Sequence, residues 1–328
     1  MNCTLLALDG CPLSSVAGPM EILSLANSLV PVVDRMNIRI ASELENPVNC
    51  VGGVQLTTHC SLDDIERTDL LILGAIGQPS QRTEAFNENT LAWIQHQYKN
   101  GSQIVSICSG AFLLAATGLL DGRQATTHWA CEQLFRERYP KVNLQSEQMI
   151  TQDGALFCSG GASAYQDMAL FLVRQHYGDQ VAHQCAKAVL IDLDRHTQQQ
   201  YASFTPSRQH QDSVVHSLQD WLKDHATENF SIAYLAEMAS LSERQLKRRF
   251  KQATSETPLA YIQALRMETA KHALETSSAQ VEKVSNVSGY EDVRFFRQLF
   301  KRYTGLSPSE YRRKFGLSSL GISSHAPR

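Results

Sequence analysis

The sequence predicts an α/β amino-terminal domain joined to an all-helical carboxy-terminal domain. Three observations carry this expectation. Short apolar runs alternate with helical periodicity through the first two hundred residues. Strand patterns then disappear from Val214 onward. Charge divides at nearly the same place. From Arg208 to Arg328 there are 18 lysines and arginines against 13 acids, a balance of +5, while the preceding residues hold 12 against 20. The basic end is where a polyanion would bind.

The elements of the first part follow in order. Thr4 to Leu8 reads as a buried strand, then a loop with glycine and proline, then a helix from about Pro19 to Leu29. Asn37 to Ala41 and Asp69 to Leu73 read as further strands, the latter ending at Gly74 and Gly77. Leu91 to Lys99 is helical, and Ser102 to Ile107 is a strand that runs through Cys108-Ser109-Gly110 into an apolar helix, Ala111 to Thr117. A strand near Leu156, a helix from about Ala164 to His176 and a helix from Gly178 to Gln200 complete the set. Strands that alternate with helices predict a doubly wound parallel sheet, a flavodoxin-like sandwich covered on both faces.

Residues 201–213, rich in polar side chains, read as a linker, residues 214–316 as the helical domain, and residues 317–328 as a disordered tail. Within the helical domain, Ser231 is a good N-cap for a short helix with Ile232, Leu235, Ala236 and Ala239 on one face. Ser240-Leu241-Ser242 breaks it. A second helix from Glu243 to Ala253 turns Leu246 and Phe250 inward and leaves Arg244, Gln245, Lys247, Arg248, Arg249 and Lys251 on its other faces. A short helix, a tight turn and a basic amphipathic helix make the helix-turn-helix pattern. The pattern returns downstream. Val281 to Val287 is a short helix, Gly289 is the turn, and the next helix carries Phe295, Phe296, Leu299 and Phe300 inward with Arg294, Arg297, Gln298, Lys301 and Arg302 outward. A connector from Pro258 to about Glu275, roughly 27 Å at 1.5 Å per residue, would hold two recognition helices near successive major-groove faces.

Here the sequence resembles the AraC/XylS family. Gly289-Tyr290-Glu291-Asp292, Phe295-Phe296-Arg297-Gln298-Leu299-Phe300-Lys301 and Gly305-Leu306-Ser307-Pro308-Ser309-Glu310-Tyr311-Arg312 carry the resemblance most specifically. The resemblance implies double-stranded DNA as a partner, RNA polymerase as a second, and base contacts from Arg244, Lys247 and Arg248 in the first unit and Arg294, Arg297 and Gln298 in the second. Gln245 joins this set from its place on the outward face.

In the first domain, the strand-to-helix turn at Cys108 places that residue at an exposed apex, where a helix N-terminus lowers a thiol's pKa. The run Cys108-Ser109-Gly110-Ala111-Phe112-Leu113-Leu114, with Ala125-Thr126-Thr127-His128-Trp129, Gly18-Pro19-Met20-Glu21-Ile22-Leu23 and Ser159-Gly160-Gly161, resembles the PfpI-like branch of the class I glutamine amidotransferase-like superfamily, and more narrowly GlxA-like regulators. PfpI-like hydrolases carry histidine directly after the cysteine; this chain carries Ser109. Three readings arise, a cysteine-dependent hydrolase or amidase, a small residue tolerated at a tight turn, and a former catalytic cleft that binds a small effector; Ser109 argues against the first, and the expectation is the third, in a transcription regulator that is not an enzyme. The third assigns Glu21, Gly74, Cys108, His128 and Trp129 to the lining, because strand C-terminal ends are ligand sites in such sheets. By resemblance the effector is a nitrogen-containing metabolite, and the regulator is a homodimer through its amino-terminal domain.

The eight cysteines form no C-x-x-C pair, so neither a metal centre nor a cofactor is expected. No apolar run approaches ~18 residues and no signal peptide opens the chain, so the expected location is the cytoplasm, without a membrane.

Overall fold

The computed structural model describes residues 1–43, 47–80, 85–193, 195–208 and 210–317. The chain divides into two compact units, the first Met1–Gln199 and the second from Gln200 onward.

The first unit holds eleven described strands: β1 (Asn2–Ala7), β2 (Asn37–Ser42), β3 (Val48–Asn49), β4 (Gln55–Leu56), β5 (Cys60–Ser61), β6 (Leu70–Leu73), β7 (Gln103–Ile107), β8 (Gln124–Ala125), β9 (Asn143–Leu144), β10 (Ile150–Asp153) and β11 (Leu156–Ser159). Seven of them form one sheet in the order β10-β11-β7-β6-β1-β2-β5. Every neighbouring pair is parallel except β10 and β11, a hairpin edge. Successive side chains of a strand point to opposite faces, and both faces are apolar here. Leu5, Leu70, Ile72 and Val105 face α1 (Ser14–Ser28), α5 (Tyr165–Tyr177) and α6 (Asp179–Ala188). Leu6, Leu71, Leu73 and Ile104 face α2 (Glu88–Lys99), α3 (Gly110–Ala116) and α4 (Glu132–Arg138). This explains why the strands read as unbroken apolar runs rather than as alternation.

Two expectations need correction. The helix expected over Gly178 to Gln200 stops at Ala188; Leu190 takes a left-handed φ of 55°, which breaks the helical run. The stretch expected as an exposed linker is packed onto the second unit. Phe204 meets Tyr261 edge-on, Gln219 donates to the Ser207 carbonyl, and Arg208 pairs with Asp220. The tail expected to be disordered lies, from residue 318, outside the described residues.

The second unit consists of α7 (Ser213–His225), α8 (Ile232–Met238), α9 (Glu243–Thr254), α10 (Pro258–Thr276), α11 (Val281–Val287), α12 (Val293–Thr304) and α13 (Pro308–Phe315). It has two small cores. Val215, Leu218, Leu222, Leu235, Leu246, Phe250, Tyr261 and Ile262 form one; Met267, Ala270, Leu274, Val284, Phe296, Leu299, Phe300 and Tyr311 form the other. The connector helix α10 belongs to both. Among the described residues no helix is long and apolar enough to cross a membrane.

Candidate functional site

The helical unit repeats one local design. Ser242 caps α9 by accepting from the Gln245 amide while the Gln245 side chain accepts from the Ser242 amide, a capping box. Asp292 caps α12 by accepting from the amides of Arg294 and Phe295. The preceding turns both contain a left-handed residue, Ser240 at φ 54° and Gly289 at φ 81°. Each recognition helix also ends in a left-handed C-cap, Ser255 or Gly305, followed two residues later by a capping Thr257 or Ser307 and a helix-opening proline.

Arg244, Gln245, Lys247 and Arg248 are exposed on α9, and Arg294, Arg297 and Gln298 on α12. Their roles are not equivalent. Lys247 is paired to Glu243 at 3.0 Å, and Arg297 to Glu282 at 2.8 Å across the helix-turn-helix. The Gln245 oxygen is engaged by the cap. Gln245 and Arg248 line a surface cavity of about 510 Å3 together with His210, Asp212 and Arg249. Arg249 reaches Asp212, the N-cap of α7, and holds that carboxyl below its usual range. It therefore fastens α9 to α7. Phe295, expected inward, is 47% exposed on α12. The core side of that helix is already filled by Phe296, Leu299, Phe300 and Thr304, and one turn of helix has no further inward place.

In the α/β unit Cys108 stands at a sharp elbow between β7 and α3 with φ 55°. Its amide donates to the Ser159 carbonyl at 3.1 Å, and its carbonyl accepts from the Thr127 hydroxyl at 3.0 Å. Gly110 lets α3 start here: a Cβ at that position would lie 2.6 Å from the Gly74 carbonyl oxygen. The apex is not exposed, contrary to expectation; Cys108 is only 9% accessible. Burial pushes its thiol up to about 12, which outweighs the Ser109 amide that acts in the opposite direction. The expected lowering by the helix terminus is overturned, because α3 has seven residues and desolvation of a thiolate dominates.

Ser109, in the position after the cysteine, is committed elsewhere. Its hydroxyl accepts from the Ile76 amide and donates to the Gly77 carbonyl. His128 accepts from the Ala130 amide at Nδ1, 3.0 Å, and burial holds its pKa below the ordinary value. The neutral ring then carries its proton on Nε2, so the nitrogen left over is a donor rather than a base. The His128 and Trp129 rings are 5.2 Å apart, beside Gly161. Gly74 is buried and leaves room for Val16, and Glu21 is exposed on α1. The structure thus gathers Cys108, Thr127, His128, Trp129 and Gly161 about the elbow and leaves Glu21 outside that hydrogen-bonded group.

One residue at this site had no signal in the sequence. Gln198, read as the last turn of a helix from Gly178 to Gln200, is 2% exposed. Its Nε2 donates to the carbonyls of Thr127 and Ser146, both at 2.7 Å, and its Oε1 accepts from the amides of Gly161 at 2.9 Å and Trp129 at 3.2 Å. A carboxamide offers two donors and two acceptor sites, and all are used. Gly160 makes room, since a Cβ there would overlap the Gln198 side chain.

Paired helix-turn-helix units and a doubly wound α/β unit with a closed cysteine elbow define a two-unit DNA-binding protein. The DJ-1/PfpI family model matches residues 4–175 and a helix-turn-helix domain model matches residues 235–314. The chain belongs to the DJ-1/PfpI family and carries an AraC-type helix-turn-helix domain. It is similar to the HTH-type transcriptional regulator CdhR of Pseudomonas aeruginosa, with 27% identity over 312 residues, 94% of this chain and 90% of that protein. An isonitrile hydratase of Pseudomonas putida is 31% identical over 133 residues, 40% of this chain and 56% of that enzyme. The crystal structure of an AraC family transcriptional regulator from Pseudomonas putida aligns with a TM-score of 0.50 at 20% identity, over 57% of this chain and 98% of that one, a likeness of fold.

Proposed function

We propose that a small nitrogen-containing metabolite, held at the Cys108 elbow, controls how the helical unit engages duplex DNA. The chain is a sequence-specific DNA-binding transcription regulator. The observation that carries this function is the repeated, capped recognition helix with cations outward and aromatics inward. In the proposed contacts Arg244, Arg248 and Arg294 read guanine O6/N7 and Gln298 reads adenine, the pairings that their donor geometry favours. Gln245, with its oxygen in the cap, contributes its amide donors. Lys247 and Arg297 exchange their carboxylate partners for DNA on binding. Phe295 meets a thymine methyl.

The cleft binds without turnover in this reading. A thiol near 12 is not ionised at neutral pH, Ser109 is committed, and His128 has its accepting nitrogen engaged. The name of the similar isonitrile hydratase favours a nitrogen compound as the ligand class. Gly74 and Glu21 are left out of the binding group, the first for its packing role and the second for its exposed place. Gln198 supplies the coupling: it grips Thr127, Trp129 and Gly161 at the elbow and stands at the end of the first unit, where the chain passes to the second. Two copies join through their amino-terminal units, with exposed Leu29, Val32 and Val33 as apolar surface.

Thermal-shift screening of the full chain against amines, amino acids and isonitriles tests this reading. A ligand that raises the midpoint is expected to change DNA affinity roughly 5- to 150-fold in a mobility-shift assay. A ligand that is consumed, or one that binds and leaves DNA affinity unchanged, overturns it.

A further inference from the structure

The two cores of the helical unit do not merge. Tyr261 and Ile262 of α10 enter the first, and Met267, Ala270 and Leu274 enter the second. Arg266 lies between these two sets, at the seam. Its guanidinium spans the seam with three hydrogen bonds. Nε donates to the Ala226 carbonyl at 2.7 Å, one terminal nitrogen to Glu228 at 2.7 Å, and the other to Gly289 at 2.9 Å. Ala226 and Glu228 belong to the loop between α7 and α8, which leads into the first helix-turn-helix, α8 and α9. Gly289 is the turn of the second. The same cation lies 5.2 Å from the centroid of the Tyr290 ring. The loops it joins are in tight contact: a Cβ on Gly289 would come 2.5 Å from the Thr227 carbonyl oxygen.

We infer that Arg266 is the positioning residue that sets the distance and rotation between the two recognition helices, and so fixes the spacing at which a two-part DNA site is read. A single helix shared by two separate cores leaves their mutual rotation to whatever polar contacts cross the seam. A planar guanidinium with donors on three nitrogens holds three carbonyls in one fixed geometry, which a flexible ammonium cannot do. A rigid link between two binding modules raises affinity only when both can engage together, and this makes spacing a determinant of affinity.

The inference rests on the reading of α9 and α12 as the two DNA-reading helices. It is tested with the full-length protein and a random-sequence duplex library. Wild-type protein is expected to select two motifs at a single spacing. Duplexes are then made with both motifs at that spacing, with one to five base pairs inserted, and with each motif alone. Arg266→Met, which keeps the stem and loses the donors, is expected to bind each lone motif as wild type does. It is expected to lose on the order of tenfold or more for the paired site and to flatten the spacing preference. Arg266→Lys, which keeps the charge but has a single donor nitrogen in place of three, should fall between, and serves as the test variant if the methionine form does not fold. An unchanged spacing preference in the variants overturns the inference, as does an equal loss on lone and paired motifs. A wild-type protein that selects no two-part sequence overturns the DNA-reading assignment itself.

Discussion

Cys108 and Gln198 show how much a single environment decides. The thiol sits on a nucleophile-like elbow, yet burial raises its pKa to about 12, and thiolate is the reactive form. Labelling of the native chain with a thiol reagent near neutral pH should modify Cys108 at least about a hundredfold more slowly than in denaturant; fast native modification, mapped by peptide mass, would contradict the closed elbow. The Gln198 side chain donates to the Thr127 and Ser146 carbonyls and accepts from the Gly161 and Trp129 amides, all buried or partly buried backbone groups. Gln198→Leu leaves those groups unpaired and should destabilise the α/β unit by roughly 2–4 kcal/mol, read from urea unfolding. A loss near zero would mean that the carboxamide is not the clamp described. The same variant is expected to uncouple ligand binding from DNA affinity. His128 and His176 are both held below the ordinary 6.5 by burial. As pH falls below about 6.5 the unfolded chain takes up these protons before the native one, so native stability falls with them and levels off below the folded values. The unfolding midpoint should drop over that window, and a His128→Gln/His176→Gln variant should show a shallower drop; identical profiles would dismiss these two groups as the cause.

At the scale of elements, the two recognition helices are variations on one plan, and the variations are informative. Both end in a left-handed residue, glycine at position 305 and serine at 255. A side chain is disfavoured there. Ser255→Gly should therefore stabilise the helical unit by about 0.5–1 kcal/mol, whereas Gly305→Ser should cost a similar amount; a Ser255→Gly variant that unfolds at lower temperature, or a Gly305→Ser variant that unfolds at higher temperature, would refute the equivalence of the two caps. Phe295 departs from the plan of its own helix, since it lies outside the aromatic row. If it meets a thymine methyl, Phe295→Ala should reduce discrimination at one base pair by about 1–3 kcal/mol with little change in stability. A substantial loss of stability would assign it to packing instead.

Across the whole molecule, the charge division is a division of labour. The excess of cations lies in the helical unit and the excess of acids in the α/β unit. Neutralising phosphates releases counterions, so log affinity should fall with log salt at a slope of about −0.9 per phosphate contact. A slope between about −4 and −8 suits two recognition helices with their flanking caps; a slope near zero in an anisotropy titration would exclude groove binding by both. A doubly wound sheet stabilises itself through two continuous apolar faces, while the helical unit depends on two small cores and the polar bridge at Arg266.

What the sequence determined by itself was local. Periodicity identified the buried strands, because both faces of the sheet are covered. Caps, turns and the returning basic helix revealed the two helix-turn-helix units, since those depend on residues within a few positions of one another. Tertiary structure decided the rest. It closed the Cys108 elbow, turned Phe295 outward, ended the helix at Ala188, and made a buried clamp of a glutamine expected in that helix's last turn. It also placed Arg266 against carbonyls 23 to 40 residues away in the chain. Burial and long-range hydrogen bonding depend on which distant segments meet, and no spacing rule within one segment encodes that meeting. The two basic helices, built from neighbouring residues, were therefore legible in outline, and the hydrogen-bonded group about the Cys108 elbow, assembled from four separated segments, was not.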